Sequence, residues 1–165
     1  FYQYFADKAD VYTHILTVIS EKKVAYVTPV LSNPFEHDFF TLLEDLYRSG
    51  LEFAKDNPKA TVIGFEMFKN KTNSIFHEML EASKKQANQF YGALLSQAIT
   101  NGEVDPSIDI PFVIHMLITM QLASIEYFFD IVDNDEISPE SFGDGLMPTV
   151  NLMISFIKNG IQLQK

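Results

Sequence analysis

Apolar residues along this chain recur at steps of three and four, the spacing that places them on one face of an α-helix. Pro, Gly and Asn interrupt the pattern at intervals that separate one helix from the next. The pattern predicts helices over 8–27, 35–57, 59–70, 72–101 and 110–132, and from about 148 to near the last residue. No segment alternates apolar and polar residues over a useful length, so nothing predicts a β-sheet. The expected fold class is therefore all-α, with about six helices.

The limits of the first helix follow from local side-chain chemistry. Asp7 is placed to accept a hydrogen bond from the first turn, and Asp10 adds negative charge at the same helix end. The helix should therefore begin near Lys8. Because Pro29 disfavours helical geometry in the residue before it, the helix should end by Thr28.

Later helices are separated by equally strong stop signals. Asn57-Pro58 ends the second helix, and Asn101-Gly102 ends the fourth, since Gly accepts the left-handed conformation that closes many helices. An acidic segment over 133–145 predicts a flexible connection before the last helix, which should begin near Pro148.

The stretch over 110–132 is apolar on all sides, which requires cover from more than one direction. Its length suits a membrane span, but His115, Gln121, Glu126 and Asp130 make that placement costly for a lone helix. No basic cluster flanks the stretch. We therefore expect a soluble helix that is covered on one side by its own domain and on another by a second subunit, with no membrane partner.

Composition limits the function classes. With 165 residues, 47% of them apolar, the chain suits one well-packed domain. Twelve basic against 22 acidic residues give a formal net charge of −10, which repels a polyanion, so these residues alone should not bind DNA. The absence of cysteine excludes disulfides and thiolate metal sites.

Catalytic motifs are missing from the sequence. His14, His37, His77 and His115 lie on four different predicted helices, and no pair has metal-ligand spacing on one face. There is neither a Gly-x-Ser-x-Gly turn nor a Gly-rich phosphate loop. We expect no enzyme activity, no cofactor and no metal. Metal sensing by His77 and His115 with Glu78 or Glu126 is an alternative, but histidines that are solvated or already hydrogen-bonded are the favoured interpretation.

The opening of the chain is strongly aromatic and leads directly into the first predicted helix. It resembles the segment of TetR-type bacterial transcriptional regulators in which the DNA-recognition helix ends and a linker helix begins. The matching positions are Phe1, Tyr2, Tyr4, Phe5, Lys8 and Val11. Two further segments resemble the same family: the turn over 101–106 before a strongly apolar helix, and the terminal Gly160-Ile161 pair. Together these segments extend the resemblance over essentially the whole chain.

The resemblance implies an antiparallel helical bundle, the C-terminal ligand-binding and dimerisation domain of such a regulator. Residues 1–7 would be the end of a DNA-binding helix-turn-helix domain and a hinge, and residues 8–165 the sensor domain, with 8–27 as its linker helix. It also implies a cytoplasmic homodimer that contacts operator DNA through an N-terminal domain missing here. A Lys at a helix N-terminus with nearby Tyr hydroxyls suits a phosphate contact, so Tyr2, Tyr4 and Lys8 are the expected DNA-phosphate residues.

The aromatic content suggests a ligand pocket. Fifteen Phe, seven Tyr and six Met exceed what a bundle of this size needs, and such side chains line adaptable apolar cavities as readily as they fill cores. The resemblance places the pocket among the second to fifth helices and implies a small apolar or aromatic ligand. The residues that we nominate are Phe39, Leu43, Phe65, Phe68, Phe76, Tyr91, His115, Met116, Met120, Gln121 and Tyr127.

A homodimer interface is expected on the last two long helices, because the fifth is apolar all round and the sixth has two apolar faces. The residues nominated for it are Leu117, Ser124, Phe128, Val150, Met153, Ile154, Ile157 and Ile161. The leading functional hypothesis is a ligand-responsive transcriptional regulator of the repressor type. The competing hypothesis is a helical binding or scaffolding module that dimerises through 110–132 and has no role at DNA.

Overall fold

Six α-helices form the fold in the computed structural model, which describes residues 5–32, 37–69, 74–131 and 139–163. They are α1 (Lys8–Ser32), α2 (Phe39–Asp56), α3 (Pro58–Lys69), α4 (Ser74–Thr100), α5 (Ile110–Ile131) and α6 (Pro139–Ile161). Across those ranges no β-strand forms, and the β-type pairing recorded is an isolated bridge between Val104 and Gln162. The all-α prediction is confirmed, and α3, α4 and α5 lie close to their predicted positions.

Helix α1 begins where its capping residues predict. Asp7 accepts a hydrogen bond from the backbone N–H of Asp10 at 2.9 Å, and the Asp10 carboxylate accepts one from the backbone N–H of Ala6 at 3.1 Å. The pair is similar to a capping box, except that Asp replaces the usual Glu and its carboxylate reaches the N–H of Ala6, the residue before the N-cap. The predicted start near Lys8 is confirmed.

The predicted end of α1 is wrong, because the helix continues through Pro29 to Ser32. Pro29 lies in the last turn, so its missing N–H removes a single intrahelical hydrogen bond. Nearby hydroxyls satisfy other carbonyls in this turn: Thr28 donates to the Val24 carbonyl, and Ser32 donates to the Thr28 carbonyl, each at 2.8 Å. The carbonyl that Pro29 leaves without a helical partner is that of Ala25, which is exposed to water, so the local cost is small enough for the helix to continue.

Helix α2 starts later than the apolar pattern predicts, at Phe39 rather than Phe35. Asp38 is its N-cap and accepts hydrogen bonds from the backbone N–H groups of Phe40 at 3.0 Å and Thr41 at 3.2 Å. Burial tends to raise the pKa of Asp38, but these bonds, the Thr41 hydroxyl and the charge of Lys158 outweigh it and hold that pKa below its ordinary value. The cap therefore favours the ionised carboxylate.

Helix α4 ends at the predicted Gly. Gly102 has φ of +74° and donates its backbone N–H to the Ile99 carbonyl at 3.0 Å, while the Glu103 N–H bonds to the Ala98 carbonyl at 2.9 Å. This left-handed closure is favourable for Gly and strained for other residues. The chain then turns sharply into α5.

The predicted start of α6 near Pro148 is also wrong, since the helix begins at Pro139 and includes both Pro148 and Gly145. Pro148 and Asp144 are exposed, so water reaches the Asp144 carbonyl that lacks a helical partner. At Gly145 an added Cβ would lie 2.6 Å from Cε2 of Phe128. Gly145 thus lets α6 approach α5 closely, whereas the sequence pattern predicts a flexible connection at this position.

The core lies where α2 packs against α6 and α1, and where α5 packs between α4 and α6. The largest fully buried side chains are Phe128, Leu43, Leu95, Leu117 and Val104. The stretch Ile110–Phe128 of α5 has the length and composition of a membrane span. Its inner face nevertheless supplies the protein core, so a membrane location is not suggested.

A small network joins three parts of the chain at one end of the bundle. The backbone N–H of Asp105 donates to the Ile161 carbonyl at 2.9 Å, and the Leu163 N–H donates to the Glu103 carbonyl at 3.1 Å. The Glu103 carboxylate in turn accepts the Phe39 N–H at 2.6 Å. These bonds tie the start of α2 and the end of α6 to the α4–α5 turn.

Candidate functional site

A pocket of about 140 Å³ lies inside the bundle, where α1, α2, α5 and α6 meet. We call it the interior pocket. Its lining residues are Lys23, Leu46, Tyr47, Gly50, Leu51, Gln121, Ser124, Ile125, Phe142, Leu146, Val150 and Met153. Most of these side chains are apolar, and the few polar groups come from α1, α2 and α5. This composition is typical of a small-molecule site, in which apolar walls bury the ligand and a few polar groups orient it.

Tyr47 is the most unusual residue of the interior pocket, because its buried hydroxyl has no hydrogen-bond partner among the described residues. Burial raises the pKa of Tyr47, and the nearby Tyr91 on α4 raises it further. Burial also raises the pKa of Tyr91. The two phenols therefore stay protonated at physiological pH, and the proximity of Tyr91 does not complete a hydrogen bond of good geometry. An unpaired buried hydroxyl costs about 1–3 kcal/mol.

The other polar groups of the interior pocket differ in how they are used. The Ser124 hydroxyl donates to the Met120 carbonyl at 2.8 Å and lies 3.5 Å from the sulfur of Met153. Lys23 is exposed overall, and its Cε lies 3.9 Å from the point that a Cβ on Gly50 would occupy. The lysine stem therefore passes close to α2 at Gly50. Desolvation by the surrounding protein lowers the pKa of the Lys23 amine, which disfavours its charged form. The arrangement therefore offers hydrogen-bonding groups to a ligand.

The predicted ligand residues are only partly brought together. Gln121 lines the interior pocket, and Tyr91 lies beside Tyr47. Leu43 is buried in the core, Met116 and Met120 are half-buried, and Phe39 lines a separate pocket of about 210 Å³ near the start of α2. His115 and Tyr127 lie on the exposed side of α5. The side chains of Phe65, Phe68 and Phe76 are outside the described part of the structure.

The pattern analysis missed Tyr47 and Lys23. Tyr47 follows Leu43 at a four-residue step, on the buried stripe of α2, and Gly50 follows three residues later. A polar-tipped aromatic residue beside a Gly on a buried stripe is the signal that points to such a site. Lys23 gave no signal, because it is one of two adjacent lysines on a helix whose inner face the sequence leaves ambiguous.

The residues nominated for the dimer interface are placed in the core of the single chain. Ile161 is half-buried. The other seven are each at most 8% exposed: Leu117, Ser124, Phe128, Val150, Met153, Ile154 and Ile157. Side chains that the same chain already covers have little surface left for a partner. The structure therefore gives these positions no support as contact residues, and they stay a prediction.

Different residues of the same two helices are exposed. On α5, Phe112 is 60% exposed and Tyr127 is 53% exposed. On α6, Leu152 is 72% exposed and Phe156 is 69% exposed. We call these four residues, with the exposed Thr119 and Ala123 between the two α5 aromatics, the α5–α6 face. Exposed apolar clusters of this kind commonly mark interaction surfaces.

The remaining predicted contacts fall at the edges of the structure. Tyr2, Tyr4 and the Lys8 side chain lie outside the described residues, so their DNA contacts stay predictions. His37 precedes α2 instead of lying on a helix. Over the described ranges, no group of three His, Asp or Glu side chains is arranged to hold a metal ion.

Comparison with known proteins places the fold. No protein-family model matches the sequence, and no curated protein is significantly similar to it. The structure is similar to the crystal structure of a TetR family transcriptional regulator from Chloroflexus aurantiacus J-10-fl, with a TM-score of 0.66. The likeness covers 99% of this chain and 77% of that chain at 18% sequence identity. At this identity the comparison shows the fold alone: the chain has a helical fold like that of a TetR family regulator.

Proposed function

We propose that this chain is the sensor and dimerisation domain of a ligand-responsive transcriptional regulator of the TetR type. The observation that carries the proposal is the likeness to a TetR family regulator over 99% of the chain. The opening aromatic segment, which resembles the end of a DNA-recognition helix, supports it independently. With a net charge of −10, the chain itself is a poor DNA ligand, so DNA contact belongs to a helix-turn-helix unit joined to the start of α1.

The proposed sensing site is the interior pocket. Its volume of about 140 Å³ is close to that of an engineered cavity of ~150 Å³ that binds benzene, so its natural ligand is small unless the pocket widens. Apolar walls favour an aromatic or branched aliphatic body. The hydroxyl of Tyr47, the Gln121 amide and the Lys23 amine favour a ligand that also carries a hydrogen-bond acceptor.

Contacts of α1 support a route from the pocket to the DNA-binding unit. Lys23 of α1 lines the pocket directly. The Tyr26 hydroxyl donates to the Asp56 carboxylate at 3.1 Å and accepts from the Asn57 amide at 3.3 Å, which ties α1 to the α2–α3 junction. A ligand that prefers one position of α1 shifts the population toward it, and couplings of about 1–3 kcal/mol are usual.

The proposed dimer forms through the α5–α6 face. Its large side chains are exposed in the single chain, and the small Thr119 and Ala123 between them let two copies of α5 approach closely. A symmetric pairing of α5 and α6 from two subunits gives a four-helix interface. Such a dimer also presents two DNA-binding units to the two halves of a palindromic operator.

The test of the proposed function is selection of DNA by the intact protein from a random-sequence library. We expect enrichment of an inverted repeat whose half-sites lie about 34–36 Å apart, or a multiple of that distance. A chain limited to residues 8–165 serves as the control and should enrich nothing. Failure of the intact, folded protein to enrich any sequence would favour the scaffolding alternative.

A further inference from the structure

A second concave surface lies outside the interior pocket, between α1 and the junction of α2 with α3. It encloses about 630 Å³ and shares no lining residue with the interior pocket. We call it the α1–α3 groove. Its lining residues are His14, Ile15, Val18, Ile19, Lys22, Asp56, Asn57, Pro58, Lys59, Ala60 and Ile63. The groove is open to solvent on one side, as its half-buried and exposed side chains show.

The floor of the α1–α3 groove is apolar. Ile15, Val18 and Ile19 follow one another at three- and one-residue steps on α1, and Ile63 faces them from α3. All four are half-buried, so each keeps apolar surface that water covers poorly. A ligand with an aliphatic or aromatic body would bury this surface, at roughly 25 cal/mol for each Å² removed from water.

The rim of the groove is positive, although the chain as a whole carries a net charge of −10. Lys22 on α1 and Lys59 in the first turn of α3 are both exposed and both line the groove. Asp56 also lines the groove, and its carboxylate accepts a hydrogen bond from the Tyr26 hydroxyl at 3.1 Å while it keeps its negative charge. The two lysines outnumber this one carboxylate, so the groove lining carries a net positive charge on an acidic protein.

The start of α3 adds to this positive end. Pro58 is the first residue of the helix and has no N–H, and no described residue accepts a hydrogen bond from the backbone N–H of Lys59 or Ala60. Free N–H groups in the first turn carry the partial positive charge of the helix dipole. Together with two lysine ammonium groups, they form a donor set that suits a carboxylate.

We propose that the α1–α3 groove binds an amphipathic anion, with its apolar body over Ile15, Val18, Ile19 and Ile63 and its carboxylate between Lys22 and Lys59. The groove is distinct from the interior pocket, and its binding chemistry does not depend on a role in transcription. An occupant here touches both α1 and α3, so it also fixes their relative position.

The test is calorimetric titration of the full chain with dodecanoate, below its critical micelle concentration. We expect saturable binding of one molecule per chain that weakens as ionic strength rises. Dodecylamine has the same tail with the opposite charge and should bind at least tenfold more weakly. Lys22→Glu and Lys59→Glu should each weaken dodecanoate binding about tenfold, because each reverses a charge near the carboxylate.

Two control variants establish whether dodecanoate binds in the α1–α3 groove. Lys85→Glu makes the same change of charge on an exposed part of α4 that does not line the groove, and should leave the affinity unchanged. Ser124→Leu narrows the interior pocket and should also leave it unchanged. Absence of saturable binding, equal binding of dodecylamine, or loss of affinity in Ser124→Leu with none in the Lys22 and Lys59 variants would overturn the proposal.

Discussion

Tyr47 provides a quantitative test of the interior pocket through the stability of the ligand-free protein. Its hydroxyl is buried without a hydrogen-bond partner, and such a group costs about 1–3 kcal/mol in desolvation. Tyr47→Phe removes the hydroxyl and keeps the ring, so the free energy of unfolding should rise by about 1 kcal/mol. For a chain of this length, that change corresponds to an increase of roughly 2–4 °C in Tm.

Tyr26→Phe is the matched control, because it removes the same atom from a hydroxyl that is fully used. Tyr26 donates to Asp56 at 3.1 Å and accepts from Asn57 at 3.3 Å. Loss of both bonds at this half-buried site should lower stability by about 1 kcal/mol. Urea denaturation at one fixed protomer concentration measures both variants. If Tyr47→Phe destabilises as much as Tyr26→Phe, the Tyr47 hydroxyl has a partner and our account of the pocket is wrong.

Three further predictions concern packing, pH and assembly. Gly145→Ala should destabilise by about 1–3 kcal/mol, because the new Cβ would meet a ring at 2.6 Å, whereas Gly160→Ala meets nothing within 4 Å and should stabilise by about 0.5–1 kcal/mol. The ionised Asp38 cap stabilises the folded protein fully above its unfolded-state pKa of about 3.8, and this stabilisation is lost as pH falls through its lower folded-state pKa. Asp38→Asn should therefore lose less stability than wild type between about pH 5 and pH 3. Phe156→Ser should weaken dimerisation about 100-fold, since two rings leave the interface at about 1.5 kcal/mol each.

Each of these predictions has a measurement that can contradict it. Equal thermal stability of the two glycine variants would show that the close helix approach at Gly145 is absent. If urea titrations gave wild type and Asp38→Asn parallel curves of stability against pH, the Asp38 carboxylate would not be the cap of α2. Sedimentation equilibrium should report twice 18.8 kDa for the wild type and for Val62→Ser, an exposed apolar control on α3, at micromolar concentration. A monomeric wild type would refute the dimer.

The sequence predicted a helix boundary correctly where that boundary depends on residues close to it in the chain. Asp7 with Asp10 marks the start of α1, and Gly102 marks the end of α4. The prediction failed at Pro29 and Pro148, because the cost of a helical proline depends on whether water reaches the carbonyl that the proline leaves without a partner. That information is three-dimensional.

The same limit applies to the site. In a helix that is apolar all round, such as α5, the sequence does not show which side faces the core. Three residues nominated for the interface, Leu117, Ser124 and Phe128, therefore lie on its buried side. Gln121 was nominated as a polar group of a pocket among the second to fifth helices. It lines the interior pocket, which lies instead among α1, α2, α5 and α6, and its role in ligand binding stays a prediction. Tyr47 and Lys23 join it only through the packing of α1 and α2.

The central claim is that a ligand in the interior pocket changes how the intact protein binds DNA. The direct measurement is the affinity of the intact protein for its selected operator, by fluorescence anisotropy, with and without a small molecule shown to occupy the pocket. Our account predicts a change of about 5- to 150-fold in wild type and none in Ser124→Leu, whose larger side chain fills part of the pocket. A ligand that binds the wild-type pocket tightly and leaves operator affinity unchanged would contradict it.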